Sequence, residues 1–338
     1  MRKIFLAVAL ISVFGCISNE KTYDIESKVL YPLKKFEQIN DSTFLSLVMN
    51  MTENKGFVYF SDLKNGRIVL IDSNYKFVSC FGSPGRGPSE FSLPGPGGAT
   101  VNNNRLYAID EENKRINIYD LIGNFVGDIK GYIPERGRFI INDSVYFGST
   151  STNDKPPIFK AHISGKLKKR FGNNQRVLND VNKNMSKNYF LETWKDQIIA
   201  ICDSDPVIEK YSYNGEFLNS FNYSTLNYVT TYITYVEEKQ KKDRKSGLRG
   251  LSMFCMNSYI KEDRLYLLIS GYSNQKHTLE CNHILVLDVG NEKITPLAML
   301  ELRNEDGKDS WYYSFCVADG KIIAYDCLPY EIQEFNIK

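Results

Sequence analysis

The sequence predicts an all-β chain built from a repeated unit of four strands. Short apolar runs rich in Val, Ile, Tyr and Phe recur along its 338 residues, and turns that contain Asp, Asn and Gly separate them. Long amphipathic helical patterns are almost absent. Two segments, 57–82 and 105–130, align without a gap at an offset of 48 residues. Self-similarity at a fixed period indicates a repeat architecture.

The repeat is defined by residue types that recur at matching positions. The matched pairs are Tyr59 and Tyr107, Asp62 and Asp110, Arg67 and Arg115, Asp72 and Asp120, and Phe77 and Phe125. The pattern continues more weakly through 144–172, 198–222, 264–298 and 321–338, which makes six units. Four-stranded units with a period of about 40 to 50 residues are typical of a β-propeller. We therefore expect six four-stranded antiparallel blades.

The last unit ends after its third strand, at residue 338. Segment 27–39 has strand character and precedes the first unit, so we expect it to supply the missing outer strand and close the sixth blade. A ring without such closure would expose strand edges.

The first residues have the features of an export signal. Arg2 and Lys3 form a positive region, and an apolar stretch that is too short to span a bilayer follows. Gly15 and Cys16 then resemble the lipobox of bacterial lipoproteins. The sequence predicts a signal peptide over 1–15, a lipidated Cys16, a polar tether over 16–28 and a propeller over 29–338; the alternative is an ordinary signal peptide with a chance cysteine.

Charge narrows the classes of partner. The chain carries a formal charge of +2, and removal of Arg2 and Lys3 leaves a neutral mature protein. A neutral chain lacks the basic surface that binds nucleic acid. It also lacks the charge that would hold a membrane unaided, so we expect membrane attachment through the N-terminal lipid, in the cell envelope at the outer membrane.

Six cysteines follow Cys16, and none forms a CxxC pair or lies at ligand spacing from a histidine, which argues against zinc. Several lie inside apolar strand patterns, so buried thiols are favoured over disulfides, although an exported protein permits both.

Residues 83–94 are rich in Gly and Pro, which suits either a phosphate-binding loop or a connector. A phosphate-binding loop would precede a helix N-terminus, whereas a strand follows here. We therefore expect a link between blades, with Phe91 and Leu93 filling the gap between them.

With these features in place, segment 59–101 resembles an NHL repeat, in which a strand ending in Asp precedes Arg-Ile, a Phe-Gly pair and a Gly/Pro-rich link. The whole chain resembles the six-bladed propeller lipoproteins common in Bacteroidales. The resemblance implies two kinds of catalytic relative, lyases with histidines on zinc and hydrolases with a carboxylate and asparagines on calcium. The chain has only three dispersed histidines, at 162, 277 and 283, which disfavours the first kind.

Four aspartates end the same strand of the repeat: Asp62, Asp110, Asp203 and Asp326. They either form a ring of carboxylates that holds a cation or cap their own turns, and the second interpretation is favoured because the repeat contains them regardless of function. Arg67 and Arg115 recur with them, and we expect these arginines to tie blades together.

Segment 225–250 departs most from the repeat and predicts an excursion with a short helix. Its second half is basic, and we expect a binding surface there or at the aromatic run near 311. The candidate residues are Lys239, Lys241, Lys242, Arg244, Trp311 and Tyr312. Solvated surface and core packing are the competing interpretations.

The sequence thus favours a lipid-anchored envelope propeller that binds a protein or a small ligand, with no cofactor. The alternative is a calcium-dependent hydrolase or lyase with its site at the mouth of the central channel.

Overall fold

The computed structural model describes residues 22–40, 43–131, 133, 139–148, 155–178, 181–182, 187–246 and 251–338. The predicted signal peptide and Cys16 lie outside these residues. The N-terminal segment forms β1 (Glu26–Leu30), β2 (Pro32–Phe36), β3 (Gln38–Asn40) and β4 (Thr43–Phe44). Blade 1 contains β5 (Val48–Asn54), β6 (Phe57–Asp62), β7 (Arg67–Ile71) and β8 (Phe77–Phe81). Blade 2 contains β9 (Ala99–Asn102), β10 (Arg105–Asp110), β11 (Arg115–Asp120) and β12 (Phe125–Lys130).

The remaining blades follow in chain order. Blade 3 contains β13 (Phe139–Ile141), β14 (Ser144–Phe147), β15 (Ile158–His162) and β16 (Leu167–Phe171). Blade 4 contains β17 (Tyr189–Trp194), β18 (Gln197–Cys202), β19 (Val207–Ser212) and β20 (Phe217–Asn222), and helix α1 (Asn227–Lys245) follows it. Blade 5 contains β21 (Cys255–Lys261), β22 (Arg264–Ser273), β23 (Thr278–Asp288) and β24 (Thr295–Leu302). Blade 6 contains β25 (Tyr312–Ala318), β26 (Lys321–Asp326) and β27 (Glu331–Asn336).

The blades form a closed ring. Each is an antiparallel sheet in which consecutive strands pair, and the innermost strands β5, β9, β13, β17, β21 and β25 contact one another in that order. Strand β25 packs against β5 and completes the circle. The predicted six-bladed, all-β propeller is confirmed.

The N-terminal segment closes the ring as predicted, since β2 pairs antiparallel with β27. It does more than the sequence suggested, because β1 pairs in parallel with β24 and gives blade 5 a fifth strand. Tyr23 also bonds to the chain at the start of α1, because its N–H donates to the Thr225 carbonyl and its carbonyl accepts from Asn227 N–H. We call residues 22–36 the strap. The part of the predicted tether from 22 to 28 therefore belongs to the propeller.

Helix α1 lies on the link between blades 4 and 5. Its buried residues Val229, Tyr232, Val236 and Gln240 are spaced three and four apart, so they share one face of the helix. That face packs into the core cluster of blades 4 and 5. The predicted excursion is thus a helix of 19 residues. Within the described ranges, no helix combines the length and apolarity needed to cross a membrane.

The predicted link at 83–94 joins β8 to β9, as expected. Phe91 is fully buried between blades 1 and 2, whereas Leu93 is 60% exposed and does not fill the gap. The six described cysteines are free thiols, and four of them are buried.

The repeated aspartates hold the links to the blades. Asp110 Oδ1 accepts from Ser92 N–H, at 3.2 Å, and its Oδ2 accepts from Arg115 Nε, at 3.1 Å. The guanidinium of Arg115 also donates to the carbonyls of Gly87 and Glu90, at 2.7 and 2.8 Å. The structure therefore shows these residues fastening a connector whose own ladder is a single bridge between Pro84 and Phe91.

Blades 1 and 6 repeat this arrangement. Asp62 accepts from Ser46 Oγ at 2.7 Å and pairs with Arg67, and Asp326 accepts from Trp311 N–H at 3.0 Å.

We predict that Asp110→Ala destabilises the protein by about 3 to 5 kcal/mol, because the substitution leaves the buried Arg115 without its main counter-ion. Urea unfolding measures the loss. The matched control is Asp120→Ala in the same blade, which removes an exposed turn carboxylate and should cost clearly less. Equal losses in the two variants would contradict the role given to Asp110.

Candidate functional site

In every blade, the first strand begins, the second ends, the third begins and the fourth, where the blade has one after its third, ends at the same end of the ring. This follows from the alternating direction of the four strands in each blade. We call this end the link face. Two cavities open on it, one beside blade 5 and one at the mouth of the central channel.

The cavity beside blade 5, the blade-5 pocket, has a volume of about 740 Å³. Its walls are the turn of the long β22–β23 hairpin, the link 303–311 and the first turn of α1. Both β22 and β23 extend beyond the usual strand length of this protein, at 10 and 11 residues. The long hairpin and the helix therefore enclose the blade-5 pocket.

A tyrosine–histidine pair forms one wall of the blade-5 pocket. Tyr228, on α1, and His283, on β23, have ring centroids 4.1 Å apart, and the Tyr228 hydroxyl lies 2.8 Å from His283 Nδ1. Asn282 Oδ1 lies 2.8 Å from the same nitrogen. Burial lowers the pKa of His283 to about 4, so the imidazole is neutral at pH 7.

These contacts determine which hydrogen-bonding atoms are free. Asn282 donates its amide N–H to the Leu302 carbonyl, which assigns Oδ1 as the side facing His283. That oxygen only accepts, so Nδ1 carries the proton of the neutral ring and Nε2 carries a lone pair. The Tyr228 oxygen then accepts from Nδ1, and its own hydrogen remains available. No described residue bonds to this hydrogen or to Nε2.

Gly271 makes the close approach of the helix feasible. A Cβ at this position would overlap the Tyr228 hydroxyl and ring, so only glycine leaves room for the tyrosine against β22. The pair thus depends on a residue that contributes no side chain.

Charges in the blade-5 pocket balance. Three basic and three acidic side chains line it: Lys276, Arg303, Lys308, Glu280, Glu301 and Asp309. Lys276 pairs with Asp309 at 2.7 Å, and Arg303 pairs with Glu301 at 2.5 Å. The lining therefore has no net charge and exposes paired ions and amides.

The three aromatic residues at 311–313 lie in three different environments. Trp311 lines the blade-5 pocket, half-buried, and no described residue accepts its indole N–H. Tyr312 is fully buried, and its hydroxyl donates to Gln333 Oε1 at 2.7 Å, so it is not part of a binding surface as the sequence suggested. Its neighbour Tyr313 instead lines the channel mouth.

The basic residues that the sequence suggested as a binding surface lie away from the blade-5 pocket. Lys239, Lys241, Lys242 and Arg244 are exposed in the second half of α1, and Lys242 and Arg244 lie in the last turn, where cations favour the helix dipole. At 1.5 Å per residue, Lys242 is about 20 Å along the helix from Tyr228. The structure does not bring this basic surface together with Trp311.

The channel-mouth cavity has a volume of about 480 Å³, and apolar side chains and carboxylates line it together. Glu192, on β17, is its most perturbed group, because burial raises its carboxyl pKa to about 7. Among the described side chains, no three of His, Cys, Asp or Glu converge as metal ligands would.

Sequence reasoning missed Tyr228, Gly271 and His283 as a set. A signal was present, because segment 225–250, which departs most from the repeat, immediately precedes blade 5.

Comparisons with known proteins support the fold of this chain and no more than the fold. No family model matches the sequence, and no curated protein matches it. Among solved structures, a member of the DUF4221 family from Bacteroides vulgatus has a TM-score of 0.57 at 11% identity, covering 94% of this chain and 99% of that one. A putative exported protein from Bacteroides fragilis has a TM-score of 0.53 at 12% identity, covering 88% and 87%. The virginiamycin B lyase of Staphylococcus aureus has a TM-score of 0.51 at 11% identity, covering 90% and 99%.

We predict that His283 makes stability depend on pH. Its folded pKa of about 4 is below its ordinary 6.5, so the unfolded chain binds more protons between these values. Stability therefore rises with pH through this window and is lost as pH falls from 6.5 towards 4, by up to about 3 kcal/mol. Urea unfolding of wild type and His283→Gln from pH 4 to 7 measures the difference. Identical pH dependence in the two proteins would contradict the assignment.

Proposed function

We propose that this protein is an exported, lipid-anchored binding module of the cell envelope, and that its blade-5 pocket holds an uncharged, hydroxyl-rich ligand, a saccharide. The proposal places it among the NHL-like propeller lipoproteins that its repeat and N-terminus resemble. The single observation that carries the ligand class is the pairing of a free donor with a free acceptor in a pocket of zero net charge.

The chemistry of the wall matches that of a sugar. A sugar carries several hydroxyls that both donate and accept, so one of them can donate to His283 Nε2 while another accepts from the Tyr228 hydroxyl. The half-buried face of Trp311 offers an apolar surface beside these polar groups, as the C–H face of a sugar ring requires. Because the lining carries balanced ion pairs, a charged ligand would meet a charge of its own sign as readily as one of opposite sign.

The envelope location rests on the N-terminal sequence. The apolar run and Cys16 supply an export signal and an acylation site. The likeness to an exported Bacteroides propeller supports the same location. The exposed basic half of α1 remains a candidate surface for a protein partner.

We predict that Trp311→Ala weakens saccharide binding at least tenfold, or about 1.4 kcal/mol, because it removes the stacking face. Calorimetric titration with a panel of neutral mono- and oligosaccharides measures the affinity. The matched control is Trp194→Phe, the other tryptophan, whose indole is buried and donates to Asp263, and it should bind as wild type does.

Two outcomes would contradict the ligand class. Either no neutral saccharide binds wild type, or Trp311→Ala binds with unchanged affinity.

A triple variant, Lys239→Glu, Lys241→Glu and Lys242→Glu, tests the basic surface separately. It should leave saccharide binding intact, since this surface lies away from the blade-5 pocket.

We predict that Cys16→Ser moves the protein out of the membrane fraction, because the serine hydroxyl does not receive the lipid that a lipobox cysteine carries. Fractionation of expressing cells, with antibody detection, measures the shift. An unchanged membrane fraction for Cys16→Ser would contradict lipid anchoring while leaving the ligand class untouched.

A further inference from the structure

The channel-mouth cavity is chemically unlike the blade-5 pocket. Its described lining has acidic side chains without basic ones, and it includes the flexible and aromatic apolar side chains Met49, Met253, Met256, Phe139 and Phe190. Methionines adapt their shape to an apolar ligand, and a cavity of about 480 Å³ is the size of a small-molecule site.

Polar groups in this wall are mostly engaged by the protein itself. The Asn257 amide donates to the carbonyl of Tyr313, at 3.3 Å, and its oxygen accepts from Ser258 N–H, at 2.9 Å. The first of these bonds connects the innermost strands of blades 5 and 6, and the second lies within β21. The amide is therefore a structural tie and offers little to a ligand.

Glu192 differs from that amide. Its Oε1 accepts from Ser258 Oγ at 2.7 Å, a bond that joins blade 4 to blade 5 and orients the carboxyl. No described residue donates to Oε2. Three glutamates, at 111, 112 and 192, and no basic residue are present in the described lining. A carboxylate in an apolar cavity is stabilised by a cation that enters with it.

We propose that the channel-mouth cavity is a second binding site, for an apolar molecule that carries one ammonium group, with Glu192 as its counter-ion. The methionines and aromatic rings surround the apolar body, and the rings also favour a cation near their faces. The raised pKa of Glu192 is consistent with this assignment, because the carboxyl lacks a counter-ion within the protein.

The test compares three compounds of one shape at pH 8: 2-phenylethylammonium, 2-phenylethanol and phenylacetate. Calorimetric titration of wild type should show the ammonium binding at least tenfold more tightly than the alcohol, and phenylacetate most weakly. Glu192→Gln should abolish the preference for the ammonium while retaining the alcohol. Glutamine keeps an oxygen that accepts from Ser258, so the variant preserves the tie between blades.

Glu53→Gln is the matched control. Glu53 is a buried carboxylate on β5 that pairs with Lys261 at 2.6 Å, outside the cavity, and its substitution should keep the ammonium preference. The proposal is overturned if the ammonium shows no saturable binding at millimolar concentration. It is also overturned if the alcohol binds as well as the ammonium, or if Glu192→Gln retains the preference. Trp311→Ala should change none of these affinities, which separates this site from the blade-5 pocket.

Discussion

The pairing of the strap with two blades is the constraint on which the rest of the structure depends. Strand β2 closes blade 6, and β1 extends blade 5, so one continuous segment spans the outer edges of both. The strap also holds the walls of the blade-5 pocket. The Leu30 carbonyl accepts from Arg303 N–H, and Lys35 donates to Asn304 Oδ1. The strap therefore holds the start of the link 303–311 in place. Tyr23 fixes the start of α1 in the same way.

This arrangement places Tyr23, near the start of the described residues, beside one wall of the blade-5 pocket. The residues that precede Tyr23 lead to Cys16, and Tyr23 bonds to the residue that begins the helix carrying Tyr228. A propeller that closes with its N-terminal strand can therefore hold its last two blades and the walls of its pocket with a single segment.

The two cavities show how one scaffold supports different chemistry. Both open on the link face, where segments of any length connect strands without disturbing the sheets. The blade-5 pocket is built from the long hairpin, the link 303–311 and α1, and its lining contains equal numbers of acidic and basic side chains. The channel mouth is built from the innermost strands themselves, and its side chains are those that pack the ring. Glu192 and Ser258 add one bond between blades there.

Much of the fold could be predicted because its determinants are local. The register of Asp110 with Arg115 and with the link ahead of β9 repeats in blade 1, so one repeat explained the others. The site could not be predicted in the same way. Tyr228 and His283 are 55 positions apart, and they meet only because α1 packs against β22 at Gly271.

Neighbouring residues show the same limit. Because side chains alternate along a strand, Tyr312 and Tyr313 point to opposite faces, but alternation does not say which of them enters the core. A register shift next to Tyr312 also means that counting residues along the strand does not predict the face. The sequence by itself determined the number of blades and the closing strand, because these follow from a periodic pattern of side chains. Only the tertiary structure decided which polar atoms are free in the blade-5 pocket and at the channel mouth. That outcome depends on how distant segments pack, and no local pattern encodes it.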